Sequence, residues 1–187
     1  MSRKLRIWYP GAMYHITARG NKRGALFYDD CDYFTYLQIL EDVRFMYPFV
    51  LHSYCLMTNH IHLQIETIDH HIQYIMKTLH SRYAVYLNRR MKTVGHQFQG
   101  RYGDELIESS EYFLEVSRYI HRNPLEAKMV IRCEDYPWSS YSSYITPSPN
   151  PHVDPTKTYS FFLEPVHISY QSYVENKLEK RGSLYDK

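Results

Sequence analysis

The chain has 187 residues, 44% of them hydrophobic and 16% aromatic, with 20 tyrosines. That is enough apolar material for one cored domain with a short appendage. The net charge of +2 is bland, and no apolar run approaches the roughly 20 residues of a membrane span, which excludes a spanning helix.

Taken in chain order, "MSRKLRIWYPGAMYHI" opens with charge but has no apolar stretch behind it, so no signal peptide is expected. "AMYHITARGN" alternates like a strand and breaks at Gly20-Asn21. Asp29 or Asp30 can cap a helix running to about Tyr47, with Tyr33, Leu37, Leu40 and Val43 on one stripe and Pro48 as the stop. "FVLHSYCLM" reads as a second strand, Thr58-Asn59 as a turn, and "HIHLQIE" as an antiparallel third strand. Asp69 opens a long helix with Ile72, Ile75, Met76, Leu79, Tyr83, Tyr86 and Leu87 at helical spacing. "HQFQGRYGDELIE" reads as an irregular fourth strand. "SEYFLEVSRYIHRN" is a further helix, capped at Ser110 and closed by Pro124. An aromatic loop, "EDYPWSSYSSY", and a linker, "TPSPNP", follow.

The order β-α-β-β-α-β implies an α+β, ferredoxin-like antiparallel sheet. Two helices cover one face, and the added C-terminal helix is expected on or near the other. The expected division is a domain over 1–146 and a linker with a short tail over 147–187, with one helix near 167–181. The three cysteines, Cys31, Cys55 and Cys133, show no metal or disulfide spacing, which suits a reducing cytosol.

Side chains alternate along a strand, so His60, His62, Gln64 and Glu66 share one face and Ile61, Leu63 and Ile65 the other. The apolar face belongs to the core, and the histidines then project from the open face. Two imidazoles one residue apart can hold one divalent ion with oxygen co-ligands. By itself the pair is equally a half-solvated strand face. Tyr112, Val116, Tyr119 and Asn123 form one stripe of the last helix. Packed on the open face, that stripe would bring a phenol and an amide oxygen to the histidines. By spacing alone Tyr119 is a packing aromatic before it is a nucleophile.

Charge is unevenly distributed. Residues 1 to 28 carry Arg3, Lys4, Arg6, Arg19, Lys22 and Arg23 and no acid, and residues 70 to 103 carry Lys77, Arg82, Arg89, Arg90, Lys92 and Arg101 and no acid. If the two segments meet, they form a surface for a polyanion.

"NHIHL" resembles the histidine–hydrophobe–histidine motif of the HUH single-strand endonucleases. "RYIHRNP" resembles the catalytic-helix segment of the single-tyrosine, IS200-like transposases, especially the REP-associated tyrosine transposases. "YHITARGN", "FQGRY" and "YPWSSY" fit the same family, and the resemblance spans roughly residues 5 to 145. It implies that His60 and His62 bind metal, that Asn123 is the third ligand, and that Tyr119 is the nucleophile. Tyr112 is the other candidate nucleophile, and His15 has at most a supporting role. Two positions depart from the pattern: Thr58 where a proline is expected, and Arg122 where an apolar residue is expected.

The implied activity is cleavage and rejoining of single-stranded or hairpin DNA through a 5′-phosphotyrosine link, with Mg²⁺ or Mn²⁺ as cofactor, in the cytoplasm and away from membranes. A phenol of ordinary pKa near 10 is phenolate to about one part in a thousand at pH 7, a deficit of roughly 4 kcal/mol that the site must offset. The expected DNA-contacting residues are Arg19, Asn21, Lys22, Arg23, Lys77, Arg82, Arg89, Arg101 and Arg122. A monomer is favoured over a homodimer. Two other readings compete: a non-catalytic hairpin binder, and a metal-dependent phosphohydrolase.

Overall fold

A computed structural model describes residues 7–176. Four strands, β1 (Met13–Arg19), β2 (Phe49–Met57), β3 (His60–Thr67) and β4 (Gly103–Ile107), form one antiparallel sheet in the order β2-β3-β1-β4. Helices α1 (Asp30–Met46) and α2 (Ile72–Met91) are the two connections of a ferredoxin-like βαββαβ unit. Tyr14, Ile16 and Ala18 of β1 and Ile61, Leu63 and Ile65 of β3 bury against the stripes of these helices. Asp29 caps α1 by accepting a hydrogen bond from the Cys31 amide.

The long fourth strand expected from residue 96 shortens to β4, and the segment before it makes only an isolated bridge, Gly20 to Phe98. The cap of α2 is His71, whose Nδ1 accepts from the Gln73 amide, and Asp69 lies two residues outside it. In β2 the alternation is interrupted. Phe49 and Leu51 face α1 and α2, but so do Tyr54 and Leu56. A bulge between Leu51 and Ser53 inserts one residue, His52, and inverts the parity of the strand beyond it. The inversion sends Cys55 and Met57 to the opposite face, where they meet the next helix.

That helix, α3 (Ser110–Glu126), lies across the open face and buries Phe113, Val116 and Ile120 against Cys55, Met57 and Ile107. Gln64, whose Oε1 accepts from the Ser53 hydroxyl, donates to the Phe113 carbonyl and pins the helix to the sheet. Its cap is Ser109, not Ser110. Pro124 does not end it. A proline removes one hydrogen bond, yet here only two helical residues follow it, and the terminus closes on its own geometry. The Met129 amide donates to Pro124 O and the Lys128 amide to Leu125 O, with Lys128 left-handed at φ 57°. That is a Schellman ending.

The aromatic loop pairs with the free edge of β2: Leu56 N donates to Trp138 O, and Ser140 N to Tyr54 O. An exposed strand edge is thereby covered. Helices α4 (Tyr141–Ile145), α5 (Thr156–Tyr159) and α6 (Val166–Glu175) follow. Residues of the expected 167–181 helix beyond Asn176 lie outside the described residues. Helix α6 backs α3. The Tyr170 hydroxyl sits 2.6 Å from Ser117 Oγ and 2.7 Å from His121 Nδ1, and His121 Nε2 is 2.7 Å from Ser140 Oγ. Arg118 and Arg122 close the C-terminal end of α6 by donating to the carbonyls of Asn176 and Val174. Among the described residues no helix is long and apolar enough to cross a membrane.

His121 is fully buried, and burial holds its imidazole down at about 3 from an ordinary 6.5. A depressed histidine contributes its full stability above pH 6.5 and loses it progressively as pH falls toward the folded value. Between those limits His121 should contribute a slope of about 1.4 kcal/mol per pH unit. Denaturant unfolding of wild type and His121→Asn at pH 7.5, 6.0 and 5.0 checks this. The variant should be less stable at pH 7.5 and shallower in slope; equal slopes would contradict the assignment.

Candidate active site

The alternation that buries Ile61 and Leu63 turns His60 and His62 toward α3. His62 is 5% exposed, whereas His60 is half-buried. From α3, Asn123 reaches both rings. Its Oδ1 lies 3.3 Å from His60 Nε2, and its Nδ2 3.3 Å from His62 Nε2. Tyr119, one helical turn earlier, is half-buried and meets His62 edge-on at 5.3 Å between ring centres. It meets His15 edge-on at 5.7 Å. The sheet therefore supplies the imidazoles, and the helix supplies the amide and the phenol.

Tyr112 is held elsewhere. Its hydroxyl donates to Glu105 Oε2 at 2.7 Å on β4. Of the two tyrosines, Tyr119 is the one packed against His62.

The electrostatics keep the imidazoles neutral. Burial lowers His62 well below its ordinary range, helped by His15, His60 and the Arg19 charge. Burial also lowers His60; the Asn123 contact opposes this and Arg19 adds to it. Neutral imidazoles are the form that binds metal.

The donor set fits a divalent cation. Asn59 Oδ1 lies 2.7 Å from His60 Nδ1, while Asn59 Nδ2 donates to the Arg23 carbonyl at 3.2 Å. The amide oxygen of Asn59 is therefore the atom facing His60, and it can only accept. His60 thus carries its proton on Nδ1, and its Nε2 lone pair points at Asn123 Oδ1, also an acceptor. In that tautomer both atoms, 3.3 Å apart, present lone pairs toward one point, as two ligands of a single cation would. His60, His62 and Asn123 are the residues that would hold it, a nitrogen–nitrogen–oxygen set suited to hard or borderline divalent ions. Among the described residues no group of three His, Cys, Asp or Glu side chains is placed to hold a metal ion.

The two basic segments do meet. Asn21 N donates to Gln97 O, and Gln99 N to Arg19 O, both at 2.8 Å. Gly20 has no room for a Cβ, which would fall 2.0 Å from Gly24 O. Lys22 and Arg23 both adopt the left-handed conformation, at φ 52° and 60°, a cost accepted where this tight turn projects its cations. Arg19, Asn21, Lys22 and Arg23 are exposed at the His60 end of the sheet. Arg23 and His60 line a cleft of about 380 Å³ with Asn59 and Met129. Lys77 and Arg101 lie further along, in a groove between α2 and residues 95–102.

Three expected contacts fall outside this arrangement. Arg82 pairs with Asp42 at 2.7 Å, and Arg82 and Arg89 line the surface between α1 and α2, one layer away from the histidines. Arg122 pairs with Glu126 and caps α6. From the sequence, His15 has at most a supporting role, Asn59 reads only as a turn residue, and nothing singles out Glu105. The parity of β1 was the available signal, since His15, Thr17 and Arg19 share the face of His60 and His62 once β1 pairs with β3.

The family model described as "Transposase IS200 like" matches residues 9–123, from β1 to Asn123 of α3. Among solved structures, that of the REP associates tyrosine transposase bound to a REP hairpin is 15% identical, with a TM-score of 0.68, covering 82% of this chain and 98% of that one. A putative transposase from Deinococcus radiodurans is 16% identical, with a TM-score of 0.44, covering 65% of this chain and 97% of that one. No curated protein matches the chain.

Asn123→Ala should weaken Mn²⁺ binding by at least about tenfold, since even outer-shell partners cost that much. Asn123→Asp should retain or tighten it. Calorimetric titration of the three proteins checks this, and equal affinity in the alanine variant would remove Asn123 from the ligand set.

Proposed function

This chain belongs to the IS200-like transposase family, and on that premise we propose that it cleaves and rejoins single-stranded DNA beside hairpins, with Tyr119 as nucleophile. The observation that carries this reading is the convergence of His60, His62 and Asn123 beside the Tyr119 ring. A phosphohydrolase with the same histidines would have no use for a phenol at that position.

The Tyr119 oxygen attacks the scissile phosphorus. A phenol–phosphate bond forms, the bond from phosphorus to the 3′ oxygen breaks, and a free 3′-hydroxyl leaves with a proton. The link keeps the energy of the broken phosphodiester, so a second strand end can reverse the step without ATP. A divalent cation, Mg²⁺ or Mn²⁺, when bound by His60, His62 and Asn123, supplies Lewis-acid polarisation of the phosphate. The chain itself contributes position: α3 is clamped between the sheet and α6, which holds the phenol in place before substrate arrives.

Unstacked DNA suits the exposed cations better than a stiff duplex. Arg19, Asn21, Lys22 and Arg23 lie where they would receive the strand at the His60 end, and Lys77 and Arg101 where they would continue its path. The solved REP-associated relative was bound to a REP hairpin, and we extend a hairpin substrate of that kind to this chain. Closure of α3 by α6 of the same chain supports a monomer with its tyrosine in cis.

Two measurements test the reading. On a denaturing gel with labelled hairpin oligonucleotides, wild type and Tyr112→Phe should form a metal-dependent covalent adduct and Tyr119→Phe should not. Cleavage surviving in Tyr119→Phe would mean hydrolysis, and binding without any adduct in wild type would mean a non-catalytic binder. Hairpin affinity should also fall steeply with salt. Five cations on the path imply a log–log slope of about 3 to 4 in magnitude, and Arg19→Ala with Arg23→Ala should reduce it by about 1.4. A flat response would contradict the path.

A further inference from the structure

We propose that His15 is a positioning residue that fixes His62 as a ligand by accepting a hydrogen bond from its Nδ1–H; this rests on the reading of His60, His62 and Asn123 as the metal-holding set. In β1, His15 lies opposite Gln64 and is therefore diagonal to His62, which lies opposite Thr17. His15 Nε2 is 3.1 Å from His62 Nδ1, both side chains are buried, and the ring planes lie within 24° of each other with centres 5.4 Å apart, so the two nitrogens meet edge to edge.

A hydrogen bond between two neutral imidazoles needs one N–H and one lone pair. Two arrangements satisfy it. If His15 donates, His62 must carry its own proton on Nε2, where an N–H would point at the Asn123 amide and could not ligate. If His62 donates, its Nε2 lone pair is free and faces Asn123 Nδ2, a donor, at 3.3 Å.

The far side of His15 favours the second. With Nε2 accepting, the His15 proton sits on Nδ1, and Glu105 Oε2 lies 3.9 Å from that atom. The carboxylate is itself held by the Tyr112 hydroxyl. A negative charge favours the proton at the nearer nitrogen, so Glu105, His15 and His62 agree on one proton arrangement. A carboxylate or other acceptor behind a ligating histidine is the usual way a ring is oriented for metal. Asn59 performs the same service for His60. Both Nε2 atoms are then aimed at Asn123 before any ion arrives.

His15 also touches the Tyr119 ring, so the test must separate packing from hydrogen bonding. His15→Phe keeps a ring there and removes the acceptor. His15→Gln restores an acceptor oxygen. Nitrogen-15 NMR of the histidines in metal-free protein reads the tautomer directly, and Mn²⁺ affinity by electron paramagnetic resonance reads the consequence. Wild-type His62 should carry its proton on Nδ1. In His15→Phe the tautomer should shift toward Nε2, with Mn²⁺ affinity about 10- to 100-fold weaker. His15→Gln should recover most of both. Hairpin binding without metal should be equal in all three proteins.

A wild-type His62 protonated on Nε2 overturns the proposal. So does a His15→Phe protein with unchanged tautomer and Mn²⁺ affinity. Equal Mn²⁺ affinity in wild type and His62→Ala overturns the ligand set instead. The tautomer readout, which needs no metal, tells the two failures apart.

Discussion

Everything at the site depends on the pleat of β3. Ile61, Leu63 and Ile65 are completely buried beneath α1 and α2. Burial of each such side chain is worth roughly 1.5–3 kcal/mol, so the strand cannot slip by one residue without losing several. The same constraint that secures the core therefore commits His60 and His62 to the other face. Core packing and site geometry are one decision.

The open face would be a poor place for chemistry if it stayed open. Helix α3 covers it with Phe113, Val116 and Ile120 and excludes water from His62. Desolvation keeps the imidazoles in their ligating form, and it strengthens any interaction with a charge placed between them. The helix is held from behind by α6, through Tyr170, Ser117 and His121, and by two arginines that close the end of α6. Helix α6 thus supports the site from behind α3. Segment 147–176 is also stitched back to the rest of the chain by contacts that include Arg44 donating to the His152 carbonyl at 2.5 Å, Asn150 Nδ2 donating to the Tyr54 hydroxyl at 3.0 Å, and Lys157 pairing with Glu66 at 3.1 Å.

Much of this was legible in the residues. Alternation in β3 separated the isoleucines from the histidines. Helical spacing put Tyr119 and Asn123 one turn apart, and the order of elements implied the sheet that brings them to the histidines. What escaped is tertiary in origin. The bulge at His52 inverts β2 and has no marker in "FVLHSYCLM". Pro124 reads as a stop, but a left-handed Lys128 ends the helix instead. Arg82, Arg90 and Arg122 read as free charge, yet their acidic partners Asp42, Asp29, Asp32 and Glu126 are brought in by helix packing or by one helical turn. His15 stands 47 residues before His62, and only the pairing of β1 with β3 joins them.

The central claim is that a strand and a helix together aim His60, His62 and Asn123 at one ion beside Tyr119. Anomalous diffraction from Mn²⁺-soaked crystals tests it most directly. The account predicts a single peak bonded to His60 Nε2, His62 Nε2 and Asn123 Oδ1. A peak elsewhere, with these three side chains bonded only to one another, would contradict it.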